Sequence, residues 1–279
     1  MNNKINHENY KILVLDNNSE DDNLKILKDS LIDTRIIKLK KNYGFGGGMN
    51  KGIDYALEKN AEYILLLNND VIVSKNFLTK LLKSLKRSKA SAASPLIYQF
   101  PQKNKIWFYK GKRNWIKGVG RNIDYNALKN NRNLKLDLYT DFLSGCCLLL
   151  DVKSLNDNNV LKFDEKYFLY YEDDDYSSKI LDKNLKLVFS SRSIIYHKVS
   201  ASTGKDNPLL IYYLTRNRLL FMKNNYPKIS YLILFILFFT FTRIIRLAEW
   251  GIKGDFDKIK MFFKGLFDFK NNNFGSYNK

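Results

Sequence analysis

Four consecutive carboxylates, Glu172-Asp173-Asp174-Asp175, follow directly on the aromatic run Phe163 to Tyr171. Adjacent acids repel one another. A chain tolerates them in solvent, at a helix N-terminus, or facing a cation or a reaction that needs a base. The aromatic residues should pack and hold the acids beside a wall. Partial burial among like charges is how a carboxylate becomes a usable general base, and the alternative is a solvated helix cap. Two other polar groups stand at the ends of apolar runs. Asn68-Asn69-Asp70 follows Tyr63 to Leu67, and a short acidic motif there either holds a divalent cation or is an ordinary turn. His197, one of only two histidines, follows Ile194-Ile195-Tyr196. A lone histidine in that position is more often structural than a ligand. Asp70, Asp173 and His197 nevertheless all follow apolar segments and could converge.

The elements that must position these groups read as an α/β fold. Lys11 to Leu15 is an apolar run of buried parallel-strand type, ending in the turn and cap residues Asp16-Asn17-Asn18-Ser19. Leu24, Leu27, Leu31 and Ile32 give a helix, and Arg35 to Leu39 a second strand. Ligands bind at the C-terminal strand ends of such units. The segment Asn42-Tyr43-Gly44-Phe45-Gly46-Gly47-Gly48-Met49-Asn50-Lys51-Gly52 opens a helix. Its glycines let backbone approach a ligand, and its first N–H groups suit phosphate, although a plain glycine loop reads the same way. Lys75 to Ser88 is an amphipathic helix with a leucine stripe. Gln99 to Asn133 shows little regular pattern. Asp141 to Leu150 is a loop then a buried strand, Ser177 to Lys183 a helix, and Leu185 to Phe189 and Ile194 to His197 are strands. Asn207-Pro208 opens a helix carrying Arg216 and Arg218, which lie on different faces.

The 279 residues are enough for one large domain or two small ones, and the composition, 45% hydrophobic and 14% aromatic, is globular. The formal charge is +19, and Lys86 to Lys135 holds 13 basic residues against one acid, Asp124. Nucleic acid, an anionic membrane surface and a phosphorylated substrate are the partners such a region fits. Cys146 and Cys147 are neighbours, a poor geometry for a disulfide, and a reducing cytosolic setting fits. Ile229 to Phe241 is the most apolar stretch. As a helix it covers roughly 20 Å, short of the roughly 30 Å bilayer core. Ile252, Phe256, Ile259, Phe263 and Leu266 then recur at helical spacing among lysines, the pattern of an in-plane amphipathic helix.

The motifs fall in an order that resembles the family 2 glycosyltransferases of the GT-A fold, in particular the rhamnosyltransferase-like branch of cell-surface polysaccharide enzymes. The resemblance rests on Val14 to Ser19, Asn42 to Gly52, Leu66 to Asp70, Phe142 to Gly145, Phe163 to Asp175, Tyr196-His197 and Tyr213 to Asn217. It implies a Rossmann-like domain with a mostly parallel central sheet over residues 1–225; the hydropathy pattern of residues 226–279 adds a membrane-associating helical tail, with a dimer interface as another reading of the same apolar face. It also implies that the family's first strand–turn–helix unit is missing here. The donor, a nucleotide-diphosphate sugar, would meet Asp16, Asn18, Gly46, Asn50, Asn68, Asn69 and Arg216. Asp70 and His197 would hold Mg²⁺ or Mn²⁺, and Asp173 would take the proton from the acceptor hydroxyl. Glu172 and the basic aromatic segment with Trp107 and Trp115 would lie on the acceptor side.

The reading that follows is an inverting, metal-dependent transfer to a glycan or polyprenyl-linked acceptor at the cytoplasmic membrane face. The protein would be peripheral or hold one short inserted helix. A non-catalytic GT-A-like domain that binds glycan or membrane is the alternative, and the membrane-like tail argues against a nucleic-acid partner.

Overall fold

A computed structural model describes residues 10–19, 34–102, 105–122, 137–198 and 207–277. The helix expected around Leu24 to Ile32 lies outside the described residues. The elements are β1 (Ile12–Asp16), β2 (Thr34–Lys38), α1 (Gly44–Glu58), β3 (Tyr63–Leu67), β4 (Val71–Val73), α2 (Phe77–Ser88), β5 (Ala92–Gln99), β6 (Ile106–Phe108), β7 (Gly111–Asn114), β8 (Val119–Asn122), β9 (Leu138–Tyr139), β10 (Cys147–Asp151), α3 (Val152–Asp157), α4 (Glu172–Asp182), β11 (Leu187–His197), α5 (Pro208–Asn225), α6 (Ile229–Lys253) and α7 (Phe256–Lys270). The architecture is the expected α/β one. The sheet is mixed. β1–β2 and β5–β11 pair in parallel, while β3–β10, β10–β5, β11–β4, β5–β6 and β11–β9 are antiparallel.

Two cores flank the large sheet. One packs Phe77, Leu81 and Leu85 of α2 against Val188, Phe189 and Ile195. The other packs Ile53, Leu155, Phe163, Tyr176 and Ile180 on the opposite side. Both cysteines are buried and unbonded to each other.

Three sequence expectations change. The segment after Gln99 carries β6 and the hairpin β7–β8, with Gly111 paired to Asn122 and Asn114 to Val119. Strands this short, built from Gly, Lys and Arg, have no propensity or alternation to announce them; pairing decides them. The two expected strands around Phe189 and Ile195 form one strand, β11, whose register shifts between Ser190 and Ile194. The apolar tail segment extends to a 25-residue helix, about 37 Å long. The apolar run ends at Phe241, but the helix continues through charged residues, with Glu249 bridging Arg246 at 2.5 Å and Lys253 at 2.8 Å.

The tail is not an appendage. Phe235, Phe239 and Trp250 of α6 and Phe262 of α7 share a third core with Tyr167, Tyr171, Leu220 and Phe221. Gly265 lets α7 approach α5, since a Cβ there would lie 2.9 Å from the Tyr212 carbonyl oxygen. Tyr212 donates to Asp268 at 2.8 Å across the same contact.

The first turn of α1 is seated on the aromatic run. Gly44 has φ +74°, and a Cβ there would sit 2.3 Å from the Phe168 carbonyl oxygen, which already accepts from Phe45 N at 2.7 Å. Gly44→Ala is therefore expected to destabilise the fold by about 2 kcal/mol or more, read as a shift in the urea midpoint, whereas Gly251→Ala, which meets nothing within 4 Å, should be near neutral or slightly stabilising.

Candidate active site

The turn after β3 carries Asp70, and antiparallel pairing of β4 with β11 sets His197 opposite Val71. Asp70 Oδ2 and His197 Nε2 are consequently 3.1 Å apart, and Lys198 N donates to the Asp70 carbonyl at 2.8 Å. The imidazole is 8% exposed, and its Nδ1 has no hydrogen-bond partner among the described residues. Trp107 on β6 meets the ring in a T-shaped contact, centroids 4.4 Å apart.

Gly145 and Cys146, just before β10, stand between this pair and the acids. Asn68 N donates to the Cys146 carbonyl at 3.0 Å, and Gly145 N donates to Asp173 Oδ2 at 3.1 Å. Burial raises the Cys146 thiol pKa, and the charges of Asp70 and Asp173 both add to the shift. The two carboxylates therefore act on one thiol from different elements.

The four acids occupy the first turn of α4, where the helix dipole favours negative charge, yet each has its own surroundings. Asp175 is wholly buried, accepting from Tyr167 Oη at 3.0 Å and Asn225 Nδ2 at 2.9 Å and pairing with Lys179 at 2.7 Å. Asp174 turns toward the β7–β8 hairpin. Burial and then Asp173 raise its pKa to about 7, against the opposing charge of Arg113. Glu172 lies under α1, and its Oε2 is buried without a partner among the described residues. Burial, then Asp173, push it up to about 8. Asp173 is raised by burial, opposed by the Gly145 and Asp174 N–H groups. Of the four, it is Asp173 that bonds to Gly145.

Of the residues expected to meet a donor, Asp16 ends β1. Its Oδ1 accepts from Ser19 N at 2.9 Å, and Lys38 Nζ lies 3.8 Å from Oδ2. Burial raises its pKa, but the Ser19 hydrogen bonds and the Lys38 charge outweigh that and the net shift is downward. Asn18 and Asn69 are exposed, and Asn68 is half-buried.

Asn17, which sequence reasoning passed over, ties the two loops together. It accepts from Tyr43 N at 2.9 Å and donates to the Gly44 carbonyl at 2.9 Å and to Asn42 Oδ1 at 3.1 Å. The only signal for it was its place in an Asp-Asn-Asn turn. Arg113, also missed, donates to the Asp174 carbonyl at 3.0 Å from 61 residues away, and local sequence carries no trace of such a contact.

Several expected donor and acceptor groups are committed to the fold. Asn50 is buried, exchanging hydrogen bonds with the Phe163 backbone at 2.9 and 3.0 Å and donating to Glu165 at 3.0 Å. Gly46 is packed against Phe163. Trp115 stacks on Phe221 with 2° between the ring planes, beneath the Arg113 guanidinium.

Arg216 is the plainest correction. It is wholly buried, bonded to Asn217 Oδ1 and Tyr212 Oη at 3.0 Å and to the carbonyls of Lys166, Tyr167 and Asn273 at 3.3 to 3.5 Å. No guanidinium N–H is aimed at the strand ends; the buried carbonyls of the 166–167 turn need donors, and Arg216 supplies them.

These features converge with the comparisons. The model of glycosyl transferase family 2 matches residues 1–158, a span holding Asp16, the glycine helix, Asp70 and Gly145. The chain belongs to glycosyl transferase family 2. It is a glycosyltransferase, and Asp173, His197 and Arg216 lie beyond the matched span. The dTDP-rhamnosyl transferase RfbF of Shigella flexneri is 24% identical over 234 residues, 80% of this chain and 74% of that protein. The N-acetylglucosaminyl-diphospho-decaprenol L-rhamnosyltransferase of Mycobacterium tuberculosis is 25% identical over 212 residues, 70% of this chain and 68% of that protein. Among solved structures, S. aureus TarS with UDP-GlcNAc matches with a TM-score of 0.58 at 16% identity, covering 95% of this chain and 74% of TarS. GalNAc-T7 with UDP, GalNAc and Mn²⁺ matches with a TM-score of 0.56 at 14% identity, and this glycosyltransferase spans 41% of that chain's length. The likeness confirms the GT-A fold.

The raised Glu172 carboxyl makes stability pH-dependent. A folded-state value of about 8 against an ordinary 4.5 means that its contribution is full below about pH 4.5 and is lost as pH rises through 8. Glu172→Gln is expected to flatten the fall in melting temperature between pH 5 and 8.5, leaving the variant several degrees more stable than wild type at pH 8.5. Circular dichroism melts across that range check it.

Proposed function

We propose that this glycosyltransferase transfers a sugar, with inversion, from a nucleotide-diphosphate donor to a lipid-linked glycan at a membrane surface. The reading is carried by the Asp70–His197 contact and by the Gly145-Cys146 loop, whose Gly145 N bonds Asp173 and whose Cys146 carbonyl accepts from Asn68 N, two residues before Asp70. A carboxylate held by the N–H groups of Gly145 and Asp174 and otherwise desolvated suits Asp173 to accept the acceptor-hydroxyl proton as the oxygen attacks the anomeric carbon. The bond from that carbon to the diphosphate oxygen breaks with its electron pair on the diphosphate, so no covalent intermediate is needed. Asp16, with its buried and unbonded Oδ2, is placed to receive an N–H of the nucleotide base. Asn18, Asn68 and Asn69 line the same strand ends.

No group of three or more metal-binding side chains occurs among the described residues. Asp70 and His197 offer one carboxylate oxygen and one imidazole nitrogen, a donor set that fits Mg²⁺ or Mn²⁺ if the diphosphate supplies further oxygens. Such an ion, when bound, neutralises charge on the leaving diphosphate. The relatives' names direct the donor toward dTDP-rhamnose and the acceptor toward a diphosphate-linked polyprenol glycan.

Membrane association is supported by the tail. Leu237, Phe241, Ile244, Ile252 and Phe256 are each more than 60% exposed, a larger apolar face than a soluble monomer carries. Helix α6 is long and apolar enough to cross a membrane, with mean hydropathy 1.9. Burial of Phe235, Phe239 and Trp250 staples it to the domain over about 22 Å, which favours an in-plane, peripheral pose at the cytoplasmic face.

Calorimetry with UDP, dTDP and GDP, with and without Mn²⁺, tests the donor site. One nucleotide should bind in a Mn²⁺-dependent manner and weaken about tenfold or more in Asp70→Ala. Binding of none would leave the non-catalytic domain. Asp173→Asn should cut transfer by about 100-fold or more with donor affinity unchanged; transfer at the wild-type rate removes Asp173 as the base. Removing residues 229–279 would strip the wall from Tyr167 and Tyr171, so point changes test the membrane face. Ile244→Glu with Ile252→Glu should abolish co-sedimentation with phosphatidylglycerol vesicles while nucleotide binding persists, and undiminished co-sedimentation refutes the surface.

A further inference from the structure

A cluster of cations sits where α5, α6 and the β7–β8 turn meet. The Arg218 and Arg243 guanidiniums lie 5.5 and 5.6 Å from the centroid of one ring, Phe239. Arg218 also lies 5.6 Å from Phe235, and Lys117 Nζ lies 5.6 Å from the neighbouring Phe238. Arg218 is held in place by donating from Nε to the Lys117 carbonyl at 2.8 Å. Arg243 is held by the aromatic ring, and its Nε is buried with no hydrogen-bond partner among the described residues.

The charges around Arg243 do not neutralise it. Burial works against its charged form, and so do Arg218 and Arg246; Tyr171 is the one group acting the other way. Arg246 is itself paired with Glu249. The Arg243 guanidinium, sharing one ring with that of Arg218, with a buried N–H and no carboxylate acting on it among the described residues, is costly unless an anion completes it. A phosphate matches the planar fork of a guanidinium.

Position narrows the anion. Tyr171 feels both Arg218 and Arg243, and it is the residue immediately before the acidic helix α4. On the other side, Arg243 is flanked by Phe241, Ile244 and Ile245, which are more than half exposed. The cluster thus stands between the proposed base and the proposed lipid-facing surface. We infer that Arg218 and Arg243 form a binding site for the phosphate groups of a membrane-held lipid, namely the diphosphate of the lipid-linked acceptor. This rests on the lipid-acceptor reading above and names the residues that would hold that acceptor. With its diphosphate seated there, the acceptor lipid is directed toward the apolar face of α6 and the glycan toward the side of the acidic helix α4.

The test titrates the full chain with farnesyl diphosphate, with farnesol and inorganic diphosphate as controls, and measures co-sedimentation with phosphatidylglycerol vesicles. Wild type, R243Q and R243K are compared, since Arg218 also holds the Lys117 turn. Expected is farnesyl diphosphate binding that weakens about tenfold or more in R243Q and less in R243K. Nucleotide binding should stay unchanged, and the melting temperature of ligand-free R243Q should not fall. Equal farnesyl diphosphate affinity in wild type and R243Q overturns the site while leaving the lipid-acceptor reading standing. A loss in R243Q confined to the vesicles assigns the arginines to bulk headgroups and overturns the acceptor assignment. Wild type that binds nucleotide but not farnesyl diphosphate sinks both the site and the lipid-acceptor reading.

Discussion

The geometry of the site depends on how the chain between Asp164 and Tyr171 is held. Phe168, Tyr170 and Tyr171 all have positive φ, at 56°, 67° and 73°, a conformation that costs non-glycine residues free energy and persists only when the surroundings over-determine it. What over-determines it is the Arg216–Asn217 pair on α5. Asn217 Nδ2 reaches the carbonyls of Tyr167, Leu169 and Tyr170 at 2.6, 2.8 and 2.9 Å. Arg216 reaches those of Lys166 and Tyr167. Two neighbouring side chains thus complete the pairing of a strained turn whose own N–H groups meet its carbonyls only in part, Leu169 N donating to the Tyr167 carbonyl at 2.6 Å. The acids of α4 start where that turn ends.

This arrangement gives the C-terminal helices a part in the site. Arg216 also donates to the Asn273 carbonyl, Gly275 N donates to the Lys166 carbonyl and Tyr277 N to Tyr213 Oη. The end of the chain therefore closes over the same turn that α5 holds. The third core joins Phe235 and Trp250 to Tyr167 and Tyr171. The proposed lipid-facing helices and the acid-bearing segment share one hydrophobic cluster.

The four acids show how one local sequence yields different chemistry at each position. Helical rotation sends successive side chains to different neighbours: Glu172 under α1, Asp173 to Gly145, Asp174 to the hairpin and Arg113, and Asp175 to Tyr167 and Asn225. Burial raises three of them. Only the surroundings distinguish a carboxylate that holds the fold from one poised over the strand ends.

The sequence by itself determined the α/β class, the strands at Ile12 and Tyr63, the helix after Asn76 and the capping of α5 by Asn207, whose side chain accepts from Leu209 N at 2.9 Å. These follow from apolar runs and turn chemistry, which are local. It also drew notice to Asp70 and His197, polar groups beside apolar strands, and to Asp173, in an acid run that follows aromatic residues. Tertiary structure alone decided the roles of Arg216 and Asn50. Both looked like donor ligands and both are buried in backbone hydrogen bonds, since whether a polar side chain meets a ligand or a carbonyl is set by partners 50 and 113 residues away. The short strands β6 to β8, the hairpin's hold on α4 and the junction of Arg218 with Arg243 likewise came from long-range packing, which no periodicity records.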